Sequence, residues 1–419
     1  MNDKAIPTYS AAERDRRWKL GRDFMNKEGV DALLVFGEHE DSGPATVTFD
    51  TWLTNERPGS TIVFPQTGEP ISLVPFTPFL IGHLDASRKG DPTWISPCNI
   101  RLGRDASAIA DVLNELELAK GTVGVVGLEP SIPWHPEGIV PFRLWNTILS
   151  WFPDITFKPV AEGFTQLQTV LGEEDITVVR YAASIGDAMA LAMVEAARPG
   201  VGENAVYIAG MAAAYAQGTI VPSMHLTSSP EAIGLGPPPW SYRPQPARVL
   251  QHGDVIIAEI FSNFGMRATQ HQLTIAIGKV HEDVERAAAI ARACYEAGLG
   301  AVRPKARFAD VGKVMLAPVE KAGGWVRGPQ IHSLNPIAAI CATPSNMSQL
   351  TGADRYPQVK DEPMILGDME LEVGMSFAFE PSCGFGHHLV CVGGTVIVGE
   401  HGPIELNPYT AQLHRVMVE

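Results

Sequence analysis

The feature that most restricts the fold of this chain is an internal repeat in its C-terminal part. "LGEEDITVVRYAASIGDAMALAMVEAARPGVG" (171–202) opens on acidic residues, runs as an Ala-rich helix and breaks at Arg198-Pro199, after which "GENAVYIAGMAAAYAQ" makes a second helix. "HEDVERAAAIARACYEAGLGAVRPKARFADVGKVMLAPVEKAG" (281–323) repeats that order, with its break at Arg303-Pro304. Carboxylates suit the positive end of each helix dipole, and proline cannot continue the helix it follows. Strand-rich stretches close each unit, at 218–278 and 364–400. A repeat of this size, roughly 105 residues apart, predicts two similar αβ halves about a pseudo-twofold axis, with a binding crevice between them.

The first third has a different rhythm. "YSAAERDRRWKLGRDFMNKEGV" carries a candidate N-cap at Ser10 and a glycine stop at Gly29, and the apolar run "DALLVFG" follows. Strands at "STIVFP", "EPISLVPF" and "GTVGVVGLE", with a helix at "DASAIADVLNELEL", predict an α/β domain with a mixed sheet. The expected boundaries are 1–165 and 166–419, since 419 residues exceed the usual size of a single core.

Bulk properties narrow the function. A formal charge of -15 disfavours nucleic acid, whose recognition needs Lys and Arg on phosphates. With no run of 18 apolar residues and a charged N-terminus, neither membrane insertion nor a secretory leader is expected, and the chain reads as cytoplasmic. The five cysteines are scattered without a C-x-x-C pair, as for buried thiols in a reducing compartment.

The chemistry centres on "GDVIIAEIFSNFGMRATQHQLTIAIG" (253–278), two strands joined by a turn around Gly265. Glu259 and Gln270 lie eleven residues apart on what should be facing strands. Alternation places His271 on the face opposite Gln270, in a structural role. Two Pro-rich loops, "SSPEAIGLGPPPWSYRPQPAR" and "CATPSNMSQLTGADRYPQVKDEP", are long enough to line a site.

The segments "ITVVRYAASIGDAMALAMVEAARPGVGE", "LQHGDVIIAEI", "GMSFAFEP" and "GGTVIVGEHGPIELN", with the N-terminal "YSAAERDRRWKLGRDFMNKEGVDALLVF" and "TWLTNERPGSTIVFP", resemble in order and spacing the creatinase / aminopeptidase P / prolidase family. The resemblance implies a creatinase-type α/β N-terminal domain and an α+β pita-bread C-terminal domain. It also implies a homodimer in which Trp52 and Arg57 could reach a neighbouring site, packing within their own domain being the simpler reading.

Metal-dependent members hold two divalent ions with two aspartates, a histidine and two glutamates. Counting from Asp254, the resemblance puts Glu259 at the first aspartate and Gln270 at the second. It puts His332 of "RGPQIHSLNP" at the histidine, Glu380 of "FAFEP" at the first glutamate and Gly393 at the second. Two carboxylates and one histidine are too few for a tight dinuclear centre. No cofactor is therefore expected, the alternative being one divalent metal (Mn, Zn or Fe) on Glu259, His332 and Glu380. His387 and His388, just after Glu380, could supply imidazole or form a polar turn.

Creatinase, a relative that works without metal, implies a histidine where this chain has Tyr242 and a glutamate where it has Gln272. The expected catalytic groups are Glu380, His332, Glu259 and His225, the last because imidazole titrates near neutral pH. Tyr242, Gln270, Gln272, Trp240, His387 and His388 are candidates for substrate binding. Three functions follow: an enzyme cleaving a C–N or C–X bond of a small polar substrate without a dinuclear centre, an Xaa-Pro metallopeptidase with a mononuclear site, or a binding protein on that scaffold.

Overall fold

The computed structural model describes residues 6–38, 48–129, 138–221, 223–345, 347–357 and 359–417. The chain divides into two compact units, Thr8–Gln168 and Thr169–Glu419, the latter grouped with the first residues of the chain.

In the N-terminal unit, strands β1 (Ala32–Phe36), β2 (Thr61–Pro65), β3 (Ile71–Val74), β4 (Ile100–Leu102), β5 (Thr122–Val126) and β6 (Thr156–Pro159) form one sheet in the order β4-β3-β2-β1-β5-β6. The sheet is mixed: β1 runs antiparallel to β2 and parallel to β5. Helix α1 (Ala11–Glu28) begins where the Ser10 hydroxyl accepts the Glu13 N–H, and ends where Gly29 adopts a left-handed φ of 66°. Together with α2 (Phe49–Thr54) and α6 (Ala161–Leu167) it buries Trp18, Phe24, Trp52 and Phe164 against one face of the sheet. Helices α3 (Thr77–Lys89), α4 (Ala106–Glu115) and α5 (Phe142–Trp151) complete the unit, and α4 and α5 cover the other face through Ile109, Leu113 and Ile148. Trp52 stands edge-on to Phe164 at 5.6 Å with 3% exposure, so it is core and cannot extend to a neighbouring site. Arg57 lies over the Phe79 ring of its own unit.

The C-terminal unit contains both predicted helix pairs, α7 (Glu173–Ala196) with α8 (Glu203–Tyr215) and α9 (Glu282–Ala301) with α10 (Phe308–Ala322). By length and composition α7 is apolar enough to cross a membrane, although Arg180 and Asp187 interrupt its apolar run. Half of it is buried in the protein, where Ile185, Met189 and Met193 pack on the sheet beneath.

That sheet is built from β7 (His225–Ser229), β8 (Val255–Phe264) and β9 (Arg267–Ile277). The strands β10 (Ile331–Leu334), β11 (Ser376–Phe379), β12 (Ser382–Phe385), β13 (His388–Cys391), β14 (Gly394–Gly399), β15 (Gly402–Glu405) and β16 (Leu413–Val416) complete the unit. The first sheet runs β16-β9-β8-β7 and the second β10-β11-β14-β15, with β12 and β13 paired by themselves. The pair α7/α8 covers the first sheet, and α10 with Tyr295 of α9 covers the second.

The β8–β9 hairpin sets the register of everything near the site. Gly265 and Met266 both have positive φ, 54° and 57°, the twist-compatible turn of a tight hairpin. Ile256, Ala258 and Ile260 of β8, with Leu273, Ile275 and Ile277 of β9, all face the helix pair. Each fully buried side chain of Val or Ile size contributes about 1.5–3 kcal/mol, and a one-residue slip would expose the whole row. At the start of β8 the buried Asp254 carboxylate accepts the Arg248 guanidinium at both oxygens and the Gln251 N–H at 2.7 Å. The Gly-Asp pair therefore works as a strand anchor.

Candidate active site

Because the apolar row faces the helices, the alternate row faces inward. Glu259 pairs directly with Gln272, and Phe261 with Gln270, so Glu259, Gln270 and Gln272 share one face of the hairpin. On the other side Glu259 pairs with His225 of β7. The row His225, Glu259, Gln272 thus crosses three strands, and Gln272 continues it by donating its N–H to the Gly393 carbonyl at 3.1 Å. Glu380 enters from the second sheet at the end of β11, its N–H on the Gln330 carbonyl at 2.9 Å, beside His332 of β10.

The side chains converge on one network. The His225 Nδ1 lies 3.2 Å from Glu259 Oε2, and the His332 Nε2 lies 2.9 Å from Glu380 Oε1. The Gln270 amide nitrogen bridges the two carboxylates, donating to Glu259 Oε1 and Glu380 Oε1. Two anions select the NH2 edge of the amide, because its oxygen would repel both.

Proton placement follows from these contacts. His332 Nδ1 lies 2.8 Å from the Ser333 carbonyl, which can only accept, so Nδ1 carries a hydrogen. One proton must then lie between Nε2 and Glu380. Burial alone would lower His332, but the Glu380 carboxylate and the Ser333 carbonyl raise it. Burial pushes Glu380 up and the Glu259 charge adds to the rise, which His332 offsets only in part. The Glu380–His332 pair therefore keeps a proton to higher pH than a lone carboxylate. Glu259 goes the other way: burial would raise it, but His225, Arg327 and the Gln270 amide hold it below the usual carboxylate range. Two neighbouring carboxylates pushed apart in this way form a proton donor and a proton acceptor.

A cavity of about 50 Å³ is lined by Glu259, Gln272, Arg327, Glu380, Ser382 and Cys391, with Leu235 of the first Pro-rich loop at its edge. A water occupies about 30 Å³ of liquid, so the crevice admits only a compact group unless that loop opens. His225 and His332 reach it through their carboxylates.

Other candidates fall elsewhere. Trp240 donates its indole N–H to the structural Glu203 at 3.1 Å, and its ring meets Tyr207 edge-on. Tyr242 is 60% exposed, with Arg243 over its ring. His387 accepts the Thr351 N–H at 3.0 Å, and His388 stacks on His281 at 4.0 Å beside a separate cavity with Ser229 and Glu231. All four sit in or beside turns whose direction strand alternation does not dictate. Conversely Arg327, Ser382, Cys391 and Leu235 line the crevice without having been singled out. The only signal for Arg327 is its place five residues before His332, in the loop leading to β10.

His271 lies on the helix face, fully buried, and burial pushes its imidazole down to about 3. Below its ordinary pKa near 6.5 the unfolded chain takes up a proton that the folded chain refuses. Stability therefore falls as pH drops from about 6.5 toward about 3, by up to about 1.4 kcal/mol per unit from this group. Urea unfolding from pH 7 to 4 checks this: wild type should lose stability more steeply than His271→Gln, and parallel slopes would refute the assignment.

The sequence pattern of Metallopeptidase family M24 matches residues 177–401. The chain belongs to that family. No curated protein sequence matches it. Among solved structures it resembles an X-Pro aminopeptidase from Thermotoga maritima, with 16% identity and TM-score 0.70 over 95% of this chain and 99% of that one. A dipeptidase from Mycobacterium ulcerans gives 19% and 0.69 over 98% and 100%. An Xaa-Pro dipeptidase from Bacillus anthracis gives 15% and 0.69 over 97% and 100%. At such identities the likeness concerns the fold, a creatinase-type α/β unit followed by the α+β pita-bread unit. Membership of M24 places the chain among hydrolases of peptide-type C–N bonds.

M24 members usually employ divalent metals, so the donor set has to be tested against two ions. It does not fit. Gln270 offers hydrogens, not a lone pair, to the space between the carboxylates. At Gly393, φ is 145° and a Cβ would stand 2.0 Å from the Phe379 carbonyl oxygen, so no side chain can project there. Among the described residues no group of three or more His, Cys, Asp or Glu is arranged to hold an ion.

Proposed function

We propose that this M24 member hydrolyses a C–N bond in a compact polar substrate without a dinuclear metal centre. The carrying observation is the Gln270 amide bridging Glu259 and Glu380, where two cations would otherwise balance these charges. The row of carboxylate, amide and carboxylate is suited to a substrate bearing N–H groups, such as an amide or ureido function.

His225 is the base in this reading. Its Nδ1 is oriented by Glu259, and its Nε2 has no hydrogen-bond partner among the described residues, as in a carboxylate-imidazole dyad. Water gives one proton to His225 as its oxygen bonds to the carbonyl carbon, and the C=O electron pair moves onto oxygen. The C=O then re-forms while the C–N bond breaks, and the departing nitrogen takes the proton shared by Glu380 and His332. Such paired acid and base groups typically contribute about 10²–10⁴-fold each.

A second reading has its own support. Glu259 and Glu380 line one crevice with His332 behind Glu380, and family membership favours an Xaa-Pro metallopeptidase in which these three side chains would have to rearrange to hold one Mn, Zn or Fe ion. Metal analysis of chelator-free protein, with an activity screen over dipeptides, creatine-like and betaine-like compounds, separates the readings. Metal-free protein that turns over a small C–N substrate is the expected result. Stoichiometric metal with dipeptide cleavage would overturn it, and a folded protein inert to all three classes would favour a binding role. We also infer a homodimer, which light scattering on the purified protein tests.

A further inference from the structure

We propose that Arg327 is the electrophilic group of the crevice, its guanidinium taking the substrate oxygen that bears or develops negative charge. The inference rests on the hydrolytic reading above and deepens it by fixing the substrate's polarity: nitrogen toward Glu259, Gln270 and Glu380, oxygen toward Arg327.

Among the described residues Arg327 is the only Lys or Arg lining the crevice, and two buried carboxylates line it too. It forms no ion pair with either, since no carboxylate oxygen of the described residues lies within 4.0 Å of its nitrogens. Instead Nη1 donates to the Gly234 carbonyl at 3.0 Å, and Nη2 reaches Gln272 Oε1 at 3.4 Å. Those two neutral contacts aim a guanidinium that has five N–H donors in a planar fork, leaving donors for a ligand.

The backbone beneath is held firmly. Arg327 N–H donates to Ser382 Oγ at 3.1 Å, and Trp325 and Gly384 exchange backbone hydrogen bonds at 3.0 and 2.8 Å. Such an aimed cation needs little reorganisation when charge appears on a neighbouring oxygen. It supplies the polarisation that the altered donor set cannot draw from two ions.

Two measurements test this. Formate serves as a small oxyanion probe and formamide as its neutral counterpart, with binding followed by NMR on wild type, R327Q and R327K. Formate should bind wild type, weaken by about tenfold or more in R327Q and recover in part in R327K, with formamide indifferent to all three. Formate binding that is absent from wild type, or equal in wild type and a folded R327Q, would overturn the proposal. On any C–N substrate found in the screen, R327Q should lower kcat by about 10²–10³ and R327K by less. Unchanged kcat in R327Q would overturn it while leaving the hydrolytic reading standing. If no substrate is turned over that reading fails, and the formate arm still decides the role of Arg327.

Discussion

Gly393→Glu should destroy the fold of the C-terminal unit, not restore a metal ligand. The backbone there has a φ of 145°, which L side chains rarely adopt, and the added Cβ would stand 2.0 Å from the Phe379 carbonyl oxygen and 3.2 Å from the Pro381 Cδ. Neither obstacle is the flexible end of a side chain. The strand would have to retreat, breaking the Gln272 N–H bond to the Gly393 carbonyl and the Gly393 N–H bond to the Thr410 carbonyl at 3.0 Å. Strained backbone, overpacking and two lost hydrogen bonds together are expected to cost about 3–5 kcal/mol or more, a large part of the stability of a typical domain. Chemical denaturation, or the soluble yield at 37 °C, measures this. A soluble Gly393→Glu protein of near wild-type stability that gains stoichiometric divalent metal would show that the position had merely lost its side chain.

Glu380→Gln has the opposite profile, a fold retained and turnover lost. The proton between Glu380 and His332 is the one the mechanism delivers to the departing nitrogen, and an amide cannot hold it. A loss in kcat of about 10³ is expected, within the usual range for a general acid. Stability should change little or rise, because replacing a buried carboxylate removes a desolvation cost that the raised Glu380 pKa reflects. His332 should also titrate lower, having lost the carboxylate that raises it. Imidazole NMR reads that shift separately from activity, so a purely structural role would be recognised. Unchanged turnover in Glu380→Gln would remove the pair from the mechanism.

In the wild-type enzyme the same assignment predicts that activity falls on the alkaline side as the Glu380–His332 pair loses its proton.

Much of this was legible in the chain itself, and for a definite reason. The Ser10 cap and the Gly29 stop are local events, settled by side-chain oxygens and allowed φ values within a few residues. The placement of Glu259 with Gln270, and of His271 opposite them, follows from the two-residue period of a strand whose other face is apolar. The loop residues behaved otherwise. Trp240, Tyr242, His387 and His388 sit near the site in sequence order but not in its crevice, because a loop's course depends on what it meets. Trp240 meets Glu203, and His388 meets His281.

The apolar content of α7 shows the same limit: hydropathy measures what must be hidden from water, and this helix hides it against a sheet.

The sequence by itself determined the family, the repeated αβ plan and the uncharged residue types at Gln270 and Gly393, since each is a matter of residue type at a fixed interval. Only the tertiary structure decided how the site is arranged. It placed Gln270 between two acids, paired His225 with Glu259 and brought Arg327 from a neighbouring loop. It also showed that Gly393 has no room for a side chain. Those are distances between residues far apart in the chain, set by how two sheets pack, and local periodicity carries no information about them.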